Sequence, residues 1–314
     1  MIWEKANIQI QGKEQKATAP LIISASRATD IPAFYAKEFI KQFRKGYLYK
    51  RNPFNGKKEL ISFKNTRLIV FWTKFAQAIM PYLDELNDNN INYYFQFTLN
   101  DYQKHNLEPF VPALEKRMES FINLSEKIGK EKVIWRFDPV LLLQNETYEE
   151  LINRIEHIAQ KLYPFTEKMV FSFANFSYRK VQNKLRKAKI NYIELSDNEK
   201  DNFAKQLAHR LQKYNLEIST CAQKIDLSAY GITHNKCIDD ELIIRLFPDD
   251  KVLVNFIKPH LRTKKLKDKG QRKYCGCIYS KDIGAYNTCP FLCTYCYAVS
   301  SGKAVEKNKR NFLK

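Results

Sequence analysis

Cysteine is the residue type whose spacing in this sequence most directly implies chemistry. Five of the seven cysteines lie within residues 275–296, as the pair Cys275 and Cys277 and the triplet Cys289, Cys293 and Cys296. An even distribution would place about half of one cysteine in a stretch of that length. Such clustering indicates that the thiols share a ligand or are covalently linked.

Disulfide bonds, a structural zinc ion and an iron-sulfur cluster would each explain the clustering. Disulfides fit poorly, because the chain has 314 residues, an odd number of cysteines and no pattern of a secretion signal. Four-thiolate zinc sites usually combine two CxxC turns, and this sequence has one such turn, from Cys293 to Cys296. The spacing of Cys289, Cys293 and Cys296 favours three thiolates that hold three irons of a [4Fe-4S] cube and leave the fourth open. Zinc stays as the alternative.

The triplet with Tyr295 before its last cysteine resembles the CxxxCxxC motif of radical S-adenosylmethionine (SAM) enzymes. In that family the open iron binds SAM, and one electron from the cluster releases a 5′-deoxyadenosyl radical. The resemblance implies Cys289, Cys293 and Cys296 as ligands, Tyr295 in the cofactor site, and an external electron donor. Because only 18 residues follow Cys296, it also implies a circularly permuted relative. A weaker likeness, limited to this loop, is to the radical SAM enzymes that repair photodamaged spore DNA.

The other four cysteines could form a second site. Cys221, Cys237, Cys275 and Cys277 provide the number of thiolates that a fully ligated second cube or a zinc ion requires. Free cysteines are also often buried as small apolar residues, so Cys221 and Cys237 have a packing interpretation as well.

Positive charge is concentrated near the cysteines. The formal net charge is +19, and residues 251–314 contain 15 Lys and Arg against three acidic residues. This distribution predicts attraction to a phosphate-bearing substrate such as a nucleic acid, although lysine-rich surfaces are also often only solvated. The sequence has no apolar run long enough to span a bilayer, so we expect a soluble cytoplasmic protein without a membrane partner.

Six strand-then-helix units predict an α/β fold. Short apolar runs at residues 21–24, 68–72, 93–98, 133–139, 169–173 and 216–221 are separated by helical patterns at 33–45, 76–86, 112–128, 147–162, 180–187 and 201–214. Apolar strands without clean alternation are typical of a parallel sheet that is covered by helices. The absence of GxGxxG favours a (β/α) barrel or partial barrel over a doubly wound fold. We expect one domain, with a barrel-like body over 1–250 and a basic, cysteine-rich segment over 251–314 at the barrel mouth.

Polar residues at the ends of the predicted strands would line that mouth. The candidates are Ser24, Ser26, Arg27, Thr29, Asp30, Thr73, Lys74, Gln96, Thr98, Arg136, Asp138 and Cys221. Helix capping, ion pairing and solvation are the structural alternatives for individual members. Five of them are predicted to bind SAM or substrate: Arg27, Asp30, Lys74, Arg136 and Asp138.

A second resemblance covers nearly the whole chain. Residues 24–32 (SASRATDIP), 72–74 (WTK), 135–139 (WRFDP), the CxC pair and the final CxxxCxxCYA are similar to an uncharacterised bacterial family of unknown function. No HExxH, GxSxG or P-loop pattern supports another reaction. The leading hypothesis is therefore an iron-sulfur enzyme of radical SAM type. The alternative is a non-catalytic iron-sulfur or zinc protein that binds nucleic acid through its basic C-terminus.

Overall fold

Fourteen strands and ten α-helices form the fold of the computed structural model, which describes residues 2–51, 56–310 and 312–313. The strands are β1 Glu4–Ile10, β2 Lys13–Ala19, β3 Ile22–Ala25, β4 Tyr47–Arg51, β5 Lys58–Ser62, β6 Leu68–Thr73, β7 Asn92–Thr98, β8 Val133–Val140, β9 Leu142–Leu143, β10 Lys168–Phe173, β11 Tyr192–Ile193, β12 Glu217–Cys221, β13 Thr233–Asn235 and β14 Lys281–Asp282. The helices are α1 Ile31–Phe34, α2 Ala36–Lys45, α3 Leu83–Asp88, α4 Leu114–Ile128, α5 Tyr148–Leu162, α6 Arg179–Lys187, α7 Asp197–Leu211, α8 Asp240–Leu246, α9 Lys251–Ile257 and α10 Gly302–Lys309.

A parallel sheet of eight strands organises the molecule and confirms the predicted α/β class. Its order is β13-β12-β10-β8-β7-β6-β3-β14, so all six strands predicted from sequence lie in it. Every neighbouring pair is parallel, which requires a crossover between consecutive strands. Among the described residues β13 and β14 are not paired, so the sheet is open and the expected barrel closure is not observed.

Both faces of this sheet are buried. Ile69, Phe71 and Phe95 face a large apolar cluster that includes residues of the covering helices. Alternate residues such as Leu68 and Val70 face a second cluster, which includes all four cysteines outside the CxxxCxxC loop. Because both faces of these strands are buried, their sequences lack an alternation of polar and apolar residues.

The second cluster also contains residues from the C-terminal quarter of the chain. Leu253, Ile257, Leu266 and Ile278 are buried against the strand face that holds Leu68. In addition, β14 pairs with β3 at the edge of the sheet, with Lys281 opposite Ile23. Residues beyond 250 therefore cover one face of the main sheet and extend its edge.

Two small sheets lie outside the six predicted strand-then-helix units. The first, β1-β2-β5-β4, includes an N-terminal hairpin in which Glu4 lies opposite Ala19. Residues 1–20 gave little strand signal because β1 and β2 are rich in lysine, glutamate and glutamine, and much of each is exposed. The second sheet pairs the two-residue strands β9 and β11.

Three helix predictions need correction. The helix predicted over 33–45 is divided at Tyr35 into α1 and α2. The one predicted over 76–86 is a 3-10 turn, Met80–Tyr82, followed by α3, because Pro81 lacks the N–H that an α-helix interior requires. The helix predicted from residue 201 begins at Asp197, since Ser196 and Glu199 form a capping box.

Candidate functional site

The CxxxCxxC loop lies against the ends of β3, β6 and β7, the first three strands of the main sheet in chain order. Asp30, which follows β3, lies beside the Cys289 thiol. Lys74 follows β6, and its Nζ lies 2.9 Å from the Tyr295 hydroxyl. Asn100 follows β7, and its Nδ2 lies 3.0 Å from the same hydroxyl. The strand ends and the loop are thus brought together, although more than 180 residues separate them in the chain.

The three thiols of this loop share one small apolar environment. Cys293 is buried together with Phe291 and Val111, and the partly buried Cys289 and Cys296 pack against the same cluster. A backbone hydrogen bond of 3.0 Å from Cys296 N to the Cys293 carbonyl forms a tight turn between the last two. Burial raises the pKa of Cys293 to about 12 and also raises that of Cys289. The thiols of Cys289 and Cys293 therefore stay protonated unless a bound cation compensates their charge.

Tyr295 anchors the loop to a buried ion-pair network. Its hydroxyl donates to Glu108 and accepts from Lys74, whose Nζ is 2.7 Å from Glu108 Oε1. Arg117 lies on the other side, with Nη1 3.4 Å from Glu108 Oε2. Burial would raise the pKa of Glu108, but Lys74 and Arg117 outweigh it and the pKa is lowered. Glu108 was missed from sequence because it lies in an irregular polar loop without any motif.

The carboxylate of Asp30 holds together two of the loops that line this site. Its carboxylate accepts from Ala33 N at 3.0 Å, Thr73 Oγ1 at 2.9 Å and Lys74 N at 2.7 Å. Burial raises its pKa to about 7. Asp30 therefore caps α1 and ties the loop after β3 to the loop after β6, which is the capping role considered as its alternative.

The other four cysteines form a separate buried group. Cys221 Sγ and Cys237 Sγ are 3.5 Å apart. Cys277 Sγ accepts from the backbone amides of Cys237 at 3.2 Å and Ile238 at 3.4 Å, and it also hydrogen-bonds the thiols of Cys237 and Cys275. The hydrogen bond to Cys237 and burial raise the pKa of Cys221, whereas the hydrogen bond to Cys277 lowers that of Cys275. Cys221 and Cys237 are therefore members of one four-thiol set with Cys275 and Cys277.

Two arginines predicted at the mouth contact this four-thiol set. Arg136 Nη1 lies 3.1 Å from Cys237 Sγ, and Arg27 hydrogen-bonds Cys277 while its guanidinium lies 4.9 Å from the centroid of Trp72. Arg27 Nη2 and Arg136 Nε are buried and have no hydrogen-bond partner among the described residues. The four-thiol set is thus flanked by two guanidinium groups that each have an unused N–H donor. This arrangement suits a negatively charged ligand or thiolates.

Two aspartates complete the polar lining. Asp138 pairs with Arg136, accepts from Ser172, and has 28% of its side chain exposed. Burial would raise its pKa, but Arg136 outweighs this and the pKa is lowered. Asp282, which was not predicted, accepts from Ser24 Oγ at 2.9 Å, Ser26 Oγ at 3.0 Å and Arg27 N at 3.1 Å. Asp282 was missed from sequence because β14 has only two residues, too few to give a recognisable strand pattern.

The donor chemistry fits a metal, although the thiols are not preorganised around a common point. Among residues 2–51, 56–310 and 312–313, no group of three or more His, Cys, Asp or Glu side chains has the arrangement of a metal site. The thiols of the four-thiol set hydrogen-bond one another and backbone amides instead. Soft thiolates are the ligands of iron-sulfur clusters and zinc, so binding would require these side chains to turn inward.

Residues 22–298 match the model of a domain of unknown function, DUF1848. The chain belongs to this family. No curated protein matches the sequence. One solved structure that is similar over 94% of this chain and 92% of its own is described as a putative alpha-L-fucosidase from Bacteroides thetaiotaomicron, with 11% identity and a TM-score of 0.28. None of the helices in the described part of this DUF1848 protein is long and apolar enough to cross a membrane.

Proposed function

We propose that this DUF1848 protein is an iron-sulfur enzyme of radical SAM type. The observation that carries the proposal is the division of the seven cysteines into a loop of three and a buried set of four. The loop of three lies at the strand ends, where Tyr295 is held by residues that follow β6 and β7. Three thiolates would leave one iron of a cube open for SAM.

The strand order supports a partial (β/α) barrel as the scaffold. From β3 to β13 the strands of the main sheet occur in the order in which they follow one another in the chain. The last strand, β14, then lies on the outer side of the first, β3. A barrel opened between its seventh and eighth strands has this arrangement, and its strand ends would share one mouth.

Cys289, Cys293 and Cys296 would hold the cluster, which would supply one-electron reductive cleavage of SAM with the electron coming from an external donor. Tyr295 anchors their loop through Lys74 and Glu108. Arg27 and Arg136 provide unused buried donors for anionic groups. Asp138, partly exposed beside Arg136, accepts from a positively charged or hydroxyl group of SAM or substrate.

The four-thiol set is proposed as a second metal site, for a cube or for zinc. A tetrahedral ion about 2.3 Å from each sulfur keeps the sulfurs about 3.8 Å apart. The 3.5 Å separation of Cys221 and Cys237 is close to that value, so a single ion would require less movement than a cube. This spacing favours zinc or one iron at the second site.

We place the protein in the cytoplasm, where thiols stay reduced and a soluble protein could donate the electron that the proposed reaction requires. The test is the iron, sulfide and zinc content of anaerobically purified protein, with electron paramagnetic resonance of the dithionite-reduced sample before and after SAM is added. About four irons with a SAM-shifted signal would support the proposal, and about eight would indicate two cubes. Zinc without iron would overturn it.

Two cysteine variants serve as a matched pair in this experiment. Cys293→Ser should abolish the SAM-shifted signal and the release of 5′-deoxyadenosine under reduction. Cys277→Ser should retain the SAM-shifted signal and lose the metal of the four-thiol set. Loss of the signal in both variants, with normal folding, would contradict the assignment of two independent sites.

The alternative is a non-catalytic metal protein that binds nucleic acid through its basic C-terminus. Arg262, Lys264, Lys265 and Lys269 are exposed in that segment, which favours electrostatic attraction to phosphates. Nucleic-acid affinity that depends steeply on salt, without any SAM cleavage, would select this alternative.

A further inference from the structure

Three tyrosines are exposed beside the last cysteine of the loop. The rings of Tyr178 and Tyr297 are stacked, with centroids 5.4 Å apart and planes inclined by 21°, and Tyr286 packs edge-on with its centroid 6.3 Å from that of Tyr297. Each side chain keeps between 37% and 39% of its surface exposed. Tyr297 follows Cys296 directly in the chain. We define these three residues as the tyrosine platform.

The platform adjoins a stretch of one-sided positive charge. Tyr178 is the N-cap of α6, and residues 168–193 contain seven Lys and Arg and no acidic residue. Arg179, Lys180, Arg186, Lys187 and Lys189 are exposed. Among the described residues none of these five has a carboxylate within 4.0 Å. No carboxylate of the described residues therefore neutralises their charge by an ion pair.

One direct contact and one longer-range electrostatic interaction connect this surface to the cysteine site. Lys184, on the inner side of α6, donates to the backbone carbonyl of Cys293 at 3.1 Å and to that of Cys296. Arg272 lies close enough to Tyr178, Cys221 and Cys275 to interact with all three. A ligand on the tyrosine platform would consequently lie beside the proposed reaction site.

We propose that the tyrosine platform and the outer face of α6 bind single-stranded nucleic acid. Sequence-tolerant binders of single strands combine aromatic side chains on which bases stack with cations that follow the phosphates. The platform provides the first feature and α6 the second. An acidic protein partner would use the cations of α6 but would gain little from stacked rings, so the tyrosines favour nucleic acid. The assignment of the nucleic acid as the enzyme's substrate rests on the proposed function. The binding of single-stranded nucleic acid to this surface does not rest on it.

The test is fluorescence anisotropy with fluorescein-labelled dT12 at several salt concentrations. Replacing both Tyr178 and Tyr297 with alanine should weaken binding about 5- to 150-fold, since stacking of one base contributes that much. Tyr178→Phe combined with Tyr297→Phe keeps the rings and should retain affinity. The matched control is Tyr163→Ala, because Tyr163 is 46% exposed and packs against Tyr214 outside the platform.

The contribution of charge is measured separately. Lys180, Arg186 and Lys187 changed together to serine should reduce the slope of log affinity against log salt by about 2, since single strands contribute about 0.7 per phosphate contact. The same change at Lys41, Lys116 and Lys205, which are exposed on other helices, should leave the slope unchanged.

Three results would overturn the proposal: no binding of dT12, binding that is unaffected in the folded double-alanine variant, or displacement by poly-L-glutamate at equal charge concentration. The last result would indicate an acidic protein partner. Iron and SAM assays on the same preparations keep the two proposals distinguishable. Tyrosine-dependent binding without SAM cleavage would refute only the enzyme proposal, and SAM cleavage without dT12 binding would refute only this one.

Discussion

Glu108 is the carboxylate on which the positions of Lys74, Arg117 and Tyr295 depend. Its side chain is completely buried, and it lies within 3.4 Å of both cations. Buried ion pairs are often neutral for stability as a whole, but the removal of one partner leaves the other charge uncompensated. At this site two cations would lose their anion together.

The first prediction concerns the variant Glu108→Gln. It preserves the shape of the side chain but leaves Lys74 and Arg117 without a counter-charge, so the free energy of unfolding at pH 7 should fall by about 3 kcal/mol. Urea denaturation followed by circular dichroism measures the change. Glu126 is exposed on α4, and Glu126→Gln should change stability by less than about 0.5 kcal/mol. Equal stability of the two variants would show that the network adds no net stabilisation.

The second prediction follows from the lowered pKa of Glu108. Because the folded-state pKa lies below the unfolded value of about 4.5, this group stabilises the fold above that pH. The contribution is lost as the pH falls through the folded pKa. Wild-type stability should therefore decline more steeply below pH 4.5 than that of Glu108→Gln, as measured by urea midpoints at several pH values. Parallel curves for the two proteins would contradict the assignment.

At the scale of elements, α6 fixes the shape of the cysteine loop. Lys184 is the contact, because its ammonium group donates to the carbonyls of Cys293 and Cys296. Lys184 is partly buried, and this burial lowers the pKa of its ammonium group. A helix and an irregular loop more than 100 residues apart in the chain are thus coupled through one side chain.

The third prediction is that Lys184→Met loosens the loop without unfolding the protein. Two carbonyls lose a charged donor, and each such hydrogen bond contributes about 1.5–3 kcal/mol. Amide hydrogen exchange of residues 289–297 should accelerate at least about tenfold, while exchange in β7 and β8 stays unchanged. Lys187→Met removes an exposed charge from the same helix and is the control. Unchanged exchange in the Lys184 variant would show that other contacts hold the loop.

The sequence predicted the elements whose physical signal is local. The six long strands of the main sheet were recognisable because both of their faces are buried, and each appears as an apolar run such as Val133–Val140. Glu108 and Asp282 were missed because their roles depend on partners far away in the chain, whereas the N-terminal hairpin gave a weak signal because its strands are polar and largely exposed. The cysteines were recognised from their spacing, but only folding shows that Cys221 and Cys237 join Cys275 and Cys277. Closure of a barrel depends on pairing between the first and last strands, which no local pattern encodes.

At the scale of the whole molecule, residues from Leu253 to Ile278 cover one face of the core. Leu253, Ile257, Leu266 and Ile278 bury the strand face that contains Leu68. At the end of the chain, the Leu313 carbonyl accepts from Gln42 Nε2 at 2.9 Å, and Phe312 packs edge-on against Tyr35 with centroids 4.7 Å apart. These contacts extend from α9 to the C-terminus and connect the segment to both the sheet and the helices.

The fourth prediction is that residues 1–250 alone do not fold as a cooperative unit. Removal of residues 251–314 exposes Ile22, Leu68 and Val70 to water and takes β14 away from the sheet edge. The shortened chain should lose near-UV circular dichroism, bind a hydrophobic dye and unfold without a sharp urea transition. Full-length protein with Cys275→Ser and Cys277→Ser separates packing from metal binding, because it keeps the apolar contacts. If that variant is as disordered as the shortened chain, metal ligation rather than packing holds the segment in place. If instead residues 1–250 unfold cooperatively at the midpoint of the full chain, the cysteine-rich segment is a separate unit.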